Sequence, residues 1–119
     1  MPNNHLTLDP QAFEIAKETL QQKFEKIIGY YLEDIQSYIG SIREGLEVHS
    51  LEMIIPAAHT IKSSSRQLGA FALANYAANI EEKARSQISG KEDFIKIEEI
   101  CVDLENMFQI TELEIKKRI

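Results

Sequence analysis

The chain has 119 residues, enough for a single domain with one sizeable core, and its 44% hydrophobic fraction is that of a globular protein rather than a disordered one. With a formal net charge of −6 it would repel phosphate backbones and anionic lipid heads, which argues against nucleic acid and membrane partners. No apolar run approaches the roughly 20 residues that cross a bilayer, and the start, Met1-Pro2-Asn3-Asn4-His5, has no basic stretch followed by an apolar one.

The 3 prolines and 5 glycines, set among Ile, Leu, Ala, Glu and Lys, favour long helices over short strands. Residues 1–7 read as a flexible tail. Leu8-Asp9-Pro10 then reads as a helix start, with Asp9 as N-cap and Pro10 in the first helical position, and a short helix is predicted to about Thr19. A longer helix follows over about 20–46, where Phe24, Ile27, Ile28, Tyr31, Leu32, Ile35, Ile39, Ile42 and Leu46 recur at spacings of three and four. Gly45 and the polar stretch 47–50 are expected to end it.

The third predicted helix covers 51–68, with Leu51, Ile54, Ala58, Ile61, Ser65 and Leu68 as its core-facing seam. Pro56 falls in its first turn or two, where a missing N–H costs least. Gly69 suits a left-handed helix end, so a tight turn is placed at 68–70. The fourth helix, over 71–86, presents Leu73, Tyr76, Ala77, Ile80 and Ala84. After a break at Ser89-Gly90, the last helix runs over 91–119 with Phe94, Ile97, Ile100, Cys101, Leu104, Met107, Phe108 and Leu113. The expected fold is all-α: an antiparallel up-down four-helix bundle over 1–119, one domain, with the short N-terminal helix capping one end.

Cys101 is the only cysteine and lies in an apolar-periodic stretch, so it reads as a buried, reduced thiol in a cytoplasmic protein. His5 falls in the tail and His49 in a link, and no histidine has the spacing of a zinc ligand. With no predicted strand and no glycine-rich phosphate loop, a nucleotide site is not expected. No nucleophile pair stands beside an oxyanion or metal site, so an autonomous enzyme is the least favoured class.

His59 stands apart because of its neighbours. It is mid-helix, one residue past the seam position Ala58, with Lys62 and Ser63 at i+3 and i+4 on the same face. Ala57, Ala58, Thr60, Ser63, Ser64 and Ser65 keep that helix slim, so another helix or protein can approach closely. His59 lies ten residues before Gly69 and Glu81 twelve after it, which in an antiparallel hairpin puts them nearly level, roughly 15 and 18 Å from the turn. Glu81 and Arg85 share a face at i,i+4. A carboxylate accepting the Nδ1 proton would leave Nε2 free as a nucleophile, with Lys62 and Arg85 as cations for a phosphoryl group. The competing reading of Glu81 and Arg85 is a solvated salt bridge.

The segment Ala58-His59-Thr60-Ile61-Lys62-Ser63-Ser64-Ser65-Arg66-Gln67-Leu68-Gly69-Ala70 resembles the signature of histidine-containing phosphotransfer (HPt) domains, and Ile80-Glu81-Glu82-Lys83-Ala84-Arg85 resembles that family's second motif. The resemblance implies that His59 takes a phosphoryl group from the aspartate of one receiver domain and passes it to another. Lys62 and Arg85 match the family's basic residues, and Glu81 the residue that orients the imidazole. It also implies a phosphocarrier that holds no cofactor, with magnesium only in the receiver. Partners would be receiver domains of response regulators or hybrid histidine kinases, and the protein is expected to be a monomer.

Ser63 departs from the family, which usually has glycine after the lysine; its hydroxymethyl group is expected to narrow or slow receiver docking. Ile55, one turn before His59, is the candidate apolar docking residue, with Glu52 and Arg66 at the rim; alternatively Ile55 packs on the long second helix. A second class of function is an adaptor or inhibitor that binds a kinase or receiver without carrying phosphate. A histidine-kinase dimerisation domain fits less well, because Thr60 and Lys62 stand where an acidic residue and an arginine are usual. Met1 favours a free-standing protein over a piece of a hybrid kinase.

Overall fold

The computed structural model describes residues 6–86 and 91–119, the side chains of 91–93 excepted. Five α-helices follow one another: α1 (Pro10–Leu20), α2 (Phe24–Glu47), α3 (Leu51–Leu68), α4 (Phe71–Ser86) and α5 (Lys91–Arg118), with one 3-10 turn, Gln21–Lys23, between the first two. Contacts join α2 to α3, α3 to α4, α4 to α5 and α5 back to α2, so α3 and α5 stand diagonally opposite, as do α2 and α4. This is the up-down bundle expected from the apolar periodicity.

The seams meet in one core. Ile28, Ile35 and Ile42 from α2, Ile54 and Ile61 from α3, Leu73 and Ile80 from α4, and Ile97, Leu104 and Ile115 from α5 are almost wholly buried. Each such side chain contributes about 1.5–3 kcal/mol by leaving water. Buried polar atoms are matched: the Tyr31 and Ser65 hydroxyls lie 2.7 Å apart across α2 and α3, and the Thr111 hydroxyl donates to the Met107 carbonyl at 2.7 Å. Burial pushes the Tyr31 hydroxyl up to about 12, against the opposing pull of its Ser65 bond.

The first helix opens as its sequence implies, with Pro10 at the start and an Asp9 carboxylate oxygen accepting from the Gln11 amide at 3.3 Å. It lies across one end of the bundle. The Asp9 amide donates to the Gly69 carbonyl at 2.8 Å, and the Ala72 amide to the Leu6 carbonyl at 2.9 Å, so residue 6 of the expected tail is tied to the turn between α3 and α4. Phe13 meets Phe24 edge-on, ring centres 5.2 Å apart. Gly69 has φ +83°, and a Cβ there would stand 2.8 Å from that of Ala12. Residues 1–5 of the tail and the break at Ser89-Gly90 lie outside the described residues.

Four expectations need correction. Gly45 does not end α2, which runs on to Glu47; a Cβ at Gly45 would fall 2.7 Å from Ile54 Cγ1, so the glycine serves the close approach of α2 and α3. The chain turns instead at His49, with φ 56°. Leu20 belongs to α1, and the break follows it at Gln21, also at positive φ. Pro56 falls in the second turn of α3, within the expected range, but it is past the free amides of the first turn, so its missing N–H does cost a bond. The Glu52 carbonyl loses its helical donor, and Glu52 is exposed, where water can replace that donor. Leu113 faces solvent, because the α5 seam continues from Phe108 through buried Thr111 to Ile115.

Candidate functional site

Glu81 is the one buried carboxylate among the described residues. It lies on α4, one residue past the buried Ile80, and points toward α3 rather than toward solvent. A carboxylate out of water needs donors, and four nitrogens supply them. Oε2 receives His59 Nδ1 at 2.8 Å, Arg85 Nε at 3.0 Å and Arg85 Nη2 at 2.9 Å, while Oε1 is ion-paired with Lys62 Nζ. Burial alone would raise the Glu81 pKa, but the bonds from Lys62, Arg85 and His59 outweigh it and hold the group down at about 2. It is ionised at neutral pH.

That ionisation decides the state of the imidazole. An ionised carboxylate can only accept, so Nδ1 of His59 carries the proton and the unprotonated nitrogen of the neutral ring is Nε2. The His59 side chain is 54% exposed while that of Glu81 is 6% exposed, so the ring is anchored on its inner side and open on its outer side. A fixed, accessible sp² nitrogen beside a negative charge is suited to attack an electrophile and to hold the resulting positive ring.

The two cations are not equivalent. Lys62 is largely covered and committed to Oε1. Arg85 is exposed and bonds Oε2 through Nε and Nη2, which leaves Nη1 for an anion at the surface. Sequence reasoning had both cations facing the phosphoryl group; the structure turns Lys62 toward the carboxylate, because a buried charge draws the nearer flexible ammonium.

The sequence profile of the Hpt domain matches residues 26–117. The chain belongs to the Hpt family. Its work is histidine phosphotransfer in two-component phosphorelays. No curated protein sequence matches this Hpt protein significantly. Among solved structures, it is similar to the crystal structure of histidine-containing phosphotransfer protein B (HptB) from Pseudomonas aeruginosa PAO1, with a TM-score of 0.85, 20% identity and coverage of 94% of this chain and 93% of that one. At that identity the likeness establishes the shared bundle fold.

The remaining candidates on this Hpt bundle divide. Ser63 is exposed one turn beyond His59, its hydroxyl donating to the Thr60 carbonyl at 3.3 Å. Arg66 and Glu52 are exposed on the same helix, as a rim requires. Ile55 is partly buried and packs against the core, so it lacks the core-free surface on which its docking role rested. Sequence reasoning missed a groove of about 520 Å³ beside α3, lined by Ile15, Ala16, Tyr30, Tyr38, Thr60 and Ser64 among others. Ile15 and Tyr30 were the available signal: both are apolar and lie off the buried face of their helix.

Proposed function

We propose that His59 is the phosphoacceptor of this Hpt protein, relaying a phosphoryl group between receiver aspartates. The single observation that carries the reading is the half-exposed imidazole held through Nδ1 by buried, ionised Glu81. In the forward step the Nε2 lone pair attacks the phosphorus of a receiver's aspartyl phosphate. The N–P bond forms, the P–O bond to aspartate breaks, and the aspartate leaves as a carboxylate. No proton has to move: the ring keeps its Nδ1 proton, becomes cationic, and faces the Glu81 carboxylate at 2.8 Å. Attack by a second receiver's aspartate on the same phosphorus returns the neutral imidazole.

Arg85 acts as the cation beside the phosphoryl group through its free Nη1, and Lys62 as the residue that fixes Glu81. The protein is read as a carrier without kinase or hydrolase chemistry of its own. The magnesium of the exchange is assigned to the receiver, since both oxygens of Glu81 are already committed to Lys62, His59 and Arg85. The apolar groove with Ile15 and Tyr30 at its edge, lined on the α3 side by Thr60, the residue after His59, is the surface against which a receiver's apolar face docks. Cytoplasmic location follows from receivers being there, and no described helix is long and apolar enough to cross a membrane.

The test is transfer from a phosphorylated receiver, with His59→Gln as control. Label is expected on wild type and absent from the variant. Ile15→Glu is expected to weaken receiver binding while the protein stays folded, because Ile15 is already exposed.

A further inference from the structure

Eight large apolar side chains are exposed among the described residues; Ile95, Val102, Ile110 and Leu113 lie on α5, and Ile119 lies just past its end. Their placement is regular. Val102 follows Ile95 by seven residues and Leu113 follows Val102 by eleven, close to two and three helical turns, so all three lie along one line of the helix. Positions 95, 99, 102, 106, 109, 113 and 116 alternate four and three, the spacing of a seam between two helices. The core seam through Ile97, Cys101, Leu104, Phe108 and Ile115 occupies another face. This helix therefore carries two seams, and the bundle uses one.

Charge along the helix is uneven. Glu98, Glu99 and Asp103 lie in its first half, and Lys116, Lys117 and Arg118 close it. We infer that the outer face of α5 pairs with α5 of a second copy of this chain, running antiparallel about a two-fold axis. With Leu113 of one copy against Val102 of the other, Asn106 meets Gln109, Glu99 meets Lys116, and Ile95 lies beside Ile119. The two-fold axis makes each of these contacts twice. A parallel pair would set Glu99 on Glu99 and Lys116 on Lys116. The ion pairs Lys116–Glu112 at 3.6 Å and Arg118–Glu114 at 3.9 Å are long and near the surface, so exchanging them for intermolecular ones costs little.

Polar Asn106 and Gln109 in mid-seam, and a single helix pair as the whole contact, make this a weak, reversible dimer. α5 packs on α4 and α2 and stands diagonally opposite α3, the helix that carries His59, so pairing through its outer face leaves His59 open. The inference does not rest on the phosphotransfer role.

Sedimentation equilibrium on the full chain, from low to high micromolar concentration, tests it. The mass is expected to climb from monomer toward dimer and to stay at the monomer value in the Val102→Glu/Leu113→Glu double variant, whose unchanged circular dichroism would show that it is folded. Glu99→Lys alone is expected to weaken association by about tenfold, and adding Lys116→Glu to restore it. Phosphorylation of His59 should be the same in wild type and the double variant. A monomer mass at every concentration overturns the inference. So does a dimer that survives the apolar substitutions or ignores the charge exchange.

Discussion

His59 Nδ1 lies 2.8 Å from Glu81 Oε2, across the interface of α3 and α4 and twenty-two residues along the chain. Because Lys62 and Arg85 meet the same carboxylate, Glu81 sets both the tautomer of the ring and the position of the cations. Glu81→Gln keeps the shape but loses the charge that faces the phosphorylated ring. Phosphotransfer is expected to slow about 10- to 100-fold, as when a group orienting a reactive imidazole is removed. Nitrogen chemical shifts of His59 should show Nε2 unprotonated in wild type and mixed tautomers in the variant. An unaltered transfer rate would remove Glu81 from the mechanism.

The same carboxylate makes stability depend on pH. Glu81 is held at about 2 against an ordinary 4.5, so the unfolded chain takes up its proton first as pH falls. The stabilisation is complete above about 4.5 and is lost as pH drops from there through about 2. Urea unfolding over that range should show wild type losing stability more steeply than Glu81→Gln, with the two converging at the acid end. Parallel curves would contradict the assignment.

Gly69 carries two demands at once, a φ of +83° and the nearness of Ala12 Cβ at 2.8 Å. Gly69→Ala is expected to cost about 2–4 kcal/mol, from left-handed strain and overpacking together. Thermal unfolding reads this directly. A loss under about 0.5 kcal/mol, the scale of an ordinary surface substitution, would mean that α1 does not pack on the turn as described.

Ser63 gives a test of docking separate from one of chemistry. Ser63→Gly removes an exposed hydroxymethyl group one turn from the imidazole and should lower stability by about 0.5 kcal/mol through helix propensity. Transfer to and from receivers is expected to quicken. Rates unchanged across several receivers would show that the serine leaves docking untouched.

The sequence alone disclosed those parts of the fold that local chemistry controls. Asp9-Pro10 and Gly69 mark helix ends by capping and by a left-handed turn, and the three-four spacing in α3 and α4 names their buried faces. Gly45 misled because a glycine that ends a helix and one that admits a neighbouring helix are the same residue type, and only the proximity of Ile54 separates them. The turns at Gln21 and His49 are made by residues with no strong turn signal. Leu113 misled because α5 has apolar residues on two faces. At the site, distance from the Gly69 turn sufficed to bring His59 level with Glu81. The side chain of Lys62 could not be placed that way, since four flexible bonds let it reach either the surface or the carboxylate. The Ile15–Tyr30 groove joins helices whose crossing no local pattern reveals.

The central claim is that one exposed nitrogen of His59 carries the phosphoryl group. The most direct measurement is mass-spectrometric localisation of phosphate after incubation with a phosphorylated receiver, under alkaline handling that preserves phosphohistidine. The account predicts acid-labile phosphate on Nε2 of His59, lost in His59→Gln. Phosphate on another residue, or none on His59 with any phosphorylated receiver able to bind the protein, would contradict it.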